Sequence, residues 1–132
     1  MKKQILVVDD EQGYQDLYTF LLQPLGVQIS YANNGLEAVE KIQKDPYDLI
    51  FMDIHMPVMS GPEAFKRIRQ IRPDQKVVIF TSSSDPSFSQ ENKTLEEGAL
   101  VCLYKPVSLE DLQRVVHENL GVKLIENEGD GR

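Results

Sequence analysis

Five polar residues in this sequence come directly after short apolar runs, and their types could together transfer a phosphoryl group. Asp9 and Asp10 follow one run, Asp53 follows another, and Thr81 and Lys105 follow two more. Three carboxylates in one pocket repel one another, so a divalent cation is expected among them. Mg²⁺ suits such a site because it prefers hard oxygen ligands and tolerates few carboxylates.

The chemistry available to this set is nucleophilic attack by Asp53. With a cation and Lys105 offsetting the charge, its carboxylate could attack the phosphorus of an acyl or amidyl phosphate and form an aspartyl phosphate. The protein contributes positioning and stabilisation of the phosphoryl oxygens in such a transfer. Lys105, the Thr81 hydroxyl and the metal could each contact one oxygen, provided that the fold brings these residues together.

The apolar runs have the length of β-strands and alternate with segments of helical spacing. The predicted strands are Gln4–Val8, Val27–Ala32, Leu49–Met52, Val77–Phe80 and Leu100–Tyr104. The predicted helices are Tyr14–Leu25, Leu36–Lys44, Ala64–Ile71, a weak helix over Ser87–Glu97, and Leu109–Leu120. Pro24 and Gly26 close the first helix, and an Asn34-Gly35 turn precedes the second. Pro62 lies near the first turn of the third helix, and Ser108 opens the last one.

Five strands alternating with five helices predict an α/β fold, in which a parallel sheet carries helices on both faces. Functional groups in such sheets gather at the carboxyl ends of the strands. Because all five polar residues follow strands, we expect them around one pocket at that edge.

Composition limits the classes of protein that remain. The 132 residues suit one domain, which we place at 1–121, with 122–132 as a flexible tail or the start of a linker. A formal charge of −7 opposes direct binding to nucleic acid. No segment resembles a signal peptide or a membrane span, and Cys102 is the single cysteine, so we expect a cytoplasmic protein without an internal disulfide.

Four sequence motifs, which follow one another in a fixed order along the chain, give it a specific family resemblance over roughly Lys3 to Leu120. It resembles the response regulator receiver domains of two-component signalling, of the bacterial chemotaxis regulator type. Such a resemblance implies a doubly wound, flavodoxin-like sheet with strand order 2-1-3-4-5. The motifs are Val8-Asp9-Asp10-Glu11, Met52-Asp53-Ile54-His55-Met56-Pro57-Val58-Met59-Ser60-Gly61, Thr81-Ser82 and Tyr104-Lys105-Pro106.

The resemblance also implies roles for individual residues. Asp53 would be the phosphoacceptor and, with Asp10, a direct Mg²⁺ ligand, while Asp9 would bind the metal through water. The His55 carbonyl would be a further ligand, and the backbone amide of Ser82 would contact the phosphoryl group. The Lys105-Pro106 bond would be cis, directing the lysine into the pocket.

The chain departs from the family pattern where a Tyr or Phe usually precedes the lysine by three residues. Cys102 occupies that position, and Tyr104 shares its strand face by alternation. We hypothesise that Tyr104 partly replaces the missing ring as a switch residue beside Thr81. We expect the polar segment from Thr81 to Gly98 and the fifth strand to change most on phosphorylation, forming an output face with the last helix.

The resulting interpretation is a phosphorylation-controlled binding module, not an enzyme beyond self-catalysed phosphotransfer and slow autodephosphorylation. Expected partners are a sensor histidine kinase or histidine phosphotransfer protein and a downstream protein or output domain, with no membrane contact and a monomer or weak dimer. Two alternatives fit less well. A haloacid-dehalogenase-like phosphatase needs an acid where His55 stands, and the acidic residues Asp9-Asp10-Glu11 would repel the phosphate of a flavin mononucleotide carrier.

Overall fold

The structure, a computed structural model, describes residues 2–81, 94 and 97–122. The described strands are β1 (Gln4–Val8), β2 (Gln28–Ala32), β3 (Leu49–Asp53), β4 (Val77–Thr81) and β5 (Cys102–Tyr104). The described helices are α1 (Gln12–Leu22), a 3₁₀ turn (Gln23–Leu25), α2 (Gly35–Lys44), α3 (Gly61–Ile71) and a last helix (Leu109–Leu120).

The five strands form one parallel sheet in the order β2-β1-β3-β4-β5, which confirms the predicted topology. Every residue of β3 and β4 is buried, as expected for central strands covered on both faces. The apolar residues of α2 and α3 pack on one face of the sheet, and those of α1 and the last helix pack on the other. The predicted two-sided α/β architecture is therefore present.

Local signals in the sequence explain where several helices begin and end. The side chains of Asn34, Ser60 and Ser108 each accept a hydrogen bond from a backbone amide in the first turn of the helix that follows. After α1, Gly26 takes a left-handed conformation with φ of 75° and ends the 3₁₀ turn. The predicted helix start at Ser108 and the predicted stop at Gly26 agree with these positions, whereas the helix expected from Ala64 begins at Gly61, after the cap at Ser60.

Some predicted boundaries differ from the structure. The helix expected from Leu36 begins at Gly35, because Asn34 caps it instead of forming a separate turn. The strand expected from Leu100 begins at Cys102, and the one expected from Val27 begins at Gln28. The prediction for 122–132 falls outside the described residues apart from Val122, and so does most of the predicted helix Ser87–Glu97, within which Thr94 is helical and buried.

Within the described ranges, no helix has the length and apolar character needed to cross a membrane.

Candidate phosphoryl-transfer site

The pairing of β1 with β3 brings Asp9 and Asp53 to the same edge of the sheet. Val8 lies beside Met52 in this parallel pair, so the two aspartates come next to each other at the carboxyl ends. Both are buried, Asp9 completely and Asp53 with 5% of its surface exposed. Asp10, one residue further along, is exposed. The expected meeting of these three carboxylates is therefore present.

Lys105 joins this group from the end of β5. Its Nζ atom donates hydrogen bonds to Asp9 Oδ2 at 2.8 Å and to Asp53 Oδ2 at 3.0 Å. Its backbone amide donates to the Thr81 carbonyl at 2.9 Å, which fixes the chain at the end of β4. The Lys105-Pro106 bond is cis, as predicted.

The ammonium group of Lys105 is charged despite its burial. Only 2% of the side chain is exposed, and burial alone would lower its pKa. The hydrogen bonds to Asp9 and Asp53 and the charges of the two carboxylates outweigh burial, so the pKa of Lys105 is raised above its ordinary value. A permanent positive charge therefore lies between two buried carboxylates.

Asp53 is held in a defined orientation. Its Oδ1 atom accepts a hydrogen bond from the His55 amide at 3.0 Å, while Oδ2 accepts from Lys105. Burial raises the pKa of Asp53 and the charge of Asp9 adds to the rise, whereas Lys105 and the His55 amide partly offset it. The carboxylate is thus costly to keep charged without further positive charge in the pocket.

The three aspartates form a group that can hold a metal ion. One carboxylate oxygen from each of Asp9, Asp10 and Asp53 lies within 4.8 Å of the others. These are hard oxygen donors, and the single positive charge of Lys105 is smaller than the combined charge of the two carboxylates that it contacts. The residues therefore fit a small divalent cation.

The loop between β3 and α3 lies close to Asp53 because Gly61 permits a close approach of the backbone. A Cβ atom at Gly61 would be 2.5 Å from the Asp53 carbonyl oxygen. The Gly61 amide donates to the Ile54 carbonyl at 2.9 Å and closes the loop. His55 is exposed on this loop, which agrees with a position at the rim of the pocket.

Two residues on α1 contact the site and a third lies behind them, and we did not predict a role there for any of the three. The Tyr14 ring, interpreted from its helical spacing as core, has its centroid 3.8 Å from Lys105 Nζ. Gln15 is buried and its Nε2 atom donates to the Asp9 carbonyl at 2.8 Å, while Tyr18 lies fully buried behind Tyr14. The available signal was the helical spacing of Gln15, which precedes the inward-facing Tyr18 and Leu22 by three and seven residues.

Thr81, Cys102 and Tyr104 lie together on the α2–α3 side of the sheet. Thr81 is fully buried and pairs with the exposed Tyr104, and Cys102 pairs with Ile79 two residues earlier in the two strands. Cys102 is half-buried against the core on that side. Ser82, the predicted backbone contact to the phosphoryl group, lies outside the described residues.

Comparison with known proteins agrees with this fold and site. The model of the response regulator receiver domain matches residues 5–117. The chain is 33% identical over 123 residues to sporulation initiation phosphotransferase F of Bacillus subtilis, covering 93% of this chain and 98% of that protein. It is 38% identical over 116 residues to transcriptional regulatory protein ZraR of Klebsiella oxytoca, covering 88% of this chain but only 26% of ZraR.

Solved structures give the same result. A CheY-like receiver domain from Methanospirillum hungatei superposes with a TM-score of 0.85 at 28% identity, covering 92% of this chain and 95% of that one. The receiver domain of a sensor histidine kinase from Pseudomonas aeruginosa has a magnesium ion coordinated in its active site cleft. It matches with a TM-score of 0.82 at 26% identity, covering 92% and 99% of the two chains. The chain belongs to the response regulator receiver domain family and is a phosphoacceptor switch of two-component signalling.

Proposed function

We propose that Asp53 is the residue that accepts the phosphoryl group, in a pocket loaded with Mg²⁺. The observation that carries this proposal is the Lys105 ammonium, which contacts the carboxylates of both Asp9 and Asp53 while almost completely buried. A fixed cation at this position is suited to binding a phosphoryl oxygen on the group attached to Asp53.

The transfer is a displacement at phosphorus. An Asp53 carboxylate oxygen forms a bond to phosphorus as the bond to the donor breaks, and the leaving nitrogen or oxygen keeps the electron pair. The His55 amide holds Oδ1 and Lys105 holds Oδ2; we take Oδ2 as the nucleophile because it lies beside the ammonium that would contact the phosphoryl oxygen. Lys105 and the Thr81 hydroxyl then each contact a phosphoryl oxygen. Later attack by water returns phosphate and the free carboxylate, with no other turnover.

Three carboxylates and the His55 backbone carbonyl would hold the metal. Asp10 and Asp53 would bind it directly and Asp9 through water, because Asp9 already accepts a hydrogen bond from Lys105 and is buried, whereas Asp10 is exposed. The bound Mg²⁺ would supply charge compensation for the phosphoryl group. The magnesium-containing Pseudomonas receiver domain supports this assignment.

The donor would be a histidine kinase or a histidine phosphotransfer protein, and the receiver of the signal a downstream protein or output domain. The names of the relatives, which include a phosphotransferase and a transcriptional regulator, support such exchange. The cytoplasmic location stays a prediction.

The test is incubation with Mg²⁺ and acetyl phosphate followed by intact-mass measurement. We expect one phosphoryl group on the wild type and none on Asp53→Asn or in EDTA. Asp74→Asn, at an exposed aspartate away from the pocket, is the matched control and should be phosphorylated normally. A wild type that gains no mass, or an Asp53→Asn variant that does, would overturn the proposal.

A further inference from the structure

Tyr14 supplies a third close contact of the Lys105 ammonium, beside which the exposed Glu11 carboxylate lies more distantly at 4.0 Å. An ammonium group carries three N–H donors, and Asp9 and Asp53 accept two hydrogen bonds from it. The centroid of the Tyr14 ring lies 3.8 Å from the same nitrogen, well within the range of a cation–π interaction. Because the lysine side chain is 98% removed from solvent, this interaction is weakly screened.

The Tyr14 ring is itself supported by a row of aromatic side chains. Its centroid is 6.1 Å from that of Tyr18, Tyr18 stacks on Phe80 at 5.1 Å, and Phe80 stacks on Phe51 at 5.3 Å. Tyr18, Phe80 and Phe51 are fully buried. Phe51 and Phe80 belong to β3 and β4, the strands that end at Asp53 and Thr81. The ring beneath the ammonium is thus connected to the strands that carry the site.

We propose that Tyr14 is a positioning residue for phosphoryl transfer, which holds the Lys105 ammonium in place through its ring face. This inference rests on the proposed function of Asp53. During transfer, Asp53 gains a phosphoryl group and Lys105 must exchange its contact with Asp53 Oδ2 for a phosphoryl oxygen. A ring face attracts the ammonium without requiring one hydrogen-bond direction, so this contact persists while the other acceptor changes.

The ring and the hydroxyl of Tyr14 can be separated by substitution. Tyr14→Phe keeps the ring face, whereas Tyr14→Leu keeps an apolar side chain and removes the π system. We expect the initial rate of phosphorylation by acetyl phosphate and Mg²⁺ to change less than about 2-fold in Tyr14→Phe and to fall about 5- to 30-fold in Tyr14→Leu, which corresponds to the strength of a partly to fully desolvated cation–π contact.

A second measurement needs neither metal nor phosphoryl donor. The Lys105 side-chain protons lie over the ring face, so their NMR signals should be shifted upfield in the wild type and in Tyr14→Phe. The shift should be lost in Tyr14→Leu. Tyr47→Leu is the matched control, because Tyr47 is a partly buried tyrosine away from the pocket, and it should leave the rate and the Lys105 signals unchanged.

The outcomes separate this inference from the proposed function. If the wild type is phosphorylated and Tyr14→Leu reacts as fast as Tyr14→Phe, the positioning role is wrong while Asp53 stands. If the wild type is not phosphorylated, both fall. If circular dichroism shows that Tyr14→Leu does not fold, Tyr14→Met, which also lacks a ring, takes its place. We expect the same fall in phosphorylation rate, and a rate equal to that of Tyr14→Phe would again overturn the positioning role.

Discussion

The two faces of the sheet differ in the side chains that they place next to the pocket. On the α1 face, an aromatic row of Tyr14, Tyr18, Phe80 and Phe51 runs from Lys105 into the core. On the α2–α3 face, the position where the family usually has an aromatic side chain holds the small, half-buried Cys102. The aromatic side chains are therefore concentrated on the face that carries the charged lysine.

This difference indicates that the two faces of the sheet have different roles in signalling. The α1 face holds Lys105 and Tyr14, beside the carboxylate that would take up the phosphoryl group. On the other face, the edge strand β5 has only three residues and ends in the exposed Tyr104. Short edge strands with exposed side chains rearrange more readily, so the signal is expected to leave through β5. Four predictions test this contrast, from the largest expected effect to the smallest.

Lys105→Met should cause the largest loss of stability. It leaves Asp9 and Asp53 buried without their positive partner, and removing one member of a buried ion pair costs about 3 kcal/mol. Urea unfolding in metal-free buffer at neutral pH should show this loss. The loss should shrink at acidic pH, as the Asp53 carboxylate takes up a proton, whereas Lys66→Met at an exposed lysine should change little. A loss that is independent of pH would show that lost packing, not charge, is responsible.

Asp53→Asn should raise the free energy of unfolding in metal-free buffer at neutral pH, because asparagine removes a buried negative charge while Asp9 still pairs with Lys105. The pKa of Asp53 is raised in the folded protein, mainly by burial. The protonated Asp53 therefore stabilises the folded state fully below the ordinary aspartate pKa. This stabilisation is lost as pH rises through the higher pKa that Asp53 has in the folded protein. The gain from asparagine should thus appear above that window and disappear below it. Urea titrations at several pH values measure it, and equal stability of both proteins at neutral pH would contradict it.

Tyr18→Phe should stabilise the protein by about 1 kcal/mol. The Tyr18 hydroxyl is buried and has no hydrogen-bond partner among the described residues, and burial together with the charges of Asp9 and Asp53 raises its pKa. Phenylalanine removes the unsatisfied group and keeps the stacking on Phe80. Tyr31→Phe is the comparison, since the Tyr31 hydroxyl shares a hydrogen bond with Thr19 and its removal should destabilise. A loss of stability in Tyr18→Phe would point to a partner that the hydroxyl needs.

The smallest effect concerns dynamics and not stability. After phosphorylation with acetyl phosphate and Mg²⁺, hydrogen exchange should change by a few-fold in peptides covering 99–104 and hardly at all in α1. Tyr104→Ala should reduce the change, because Tyr104 pairs with Thr81 and shares a strand face with Cys102. Equal changes in both regions would remove the distinction between the two faces.

The sequence allowed the sheet and the charged part of the site to be predicted. Continuous apolar runs ending at Asp9 and Asp53 indicate central strands, and strand ends in a parallel sheet converge. The contact between Tyr14 and Lys105 was not predictable, because it depends on side-chain conformations of residues far apart in the chain. The start of α2 was misplaced for a related reason. Gly35 reads as a turn residue, whereas the structure needs a glycine there because a Cβ atom would lie 2.6 Å from the Met59 carbonyl oxygen.

The direction of the last helix has a consequence for how such a domain can be joined to others. The helix starts after Lys105, near the edge of the sheet that carries the pocket, and ends at the opposite edge. There the Asn119 carbonyl accepts a hydrogen bond from Lys76 Nζ at 2.6 Å, next to the start of β4. A five-residue strand spans about 17 Å, so this end lies at about that distance from the phosphorylation edge. A covalent fusion after Leu120 would leave Asp53 open to a donor, which makes the fold suited to modular architectures.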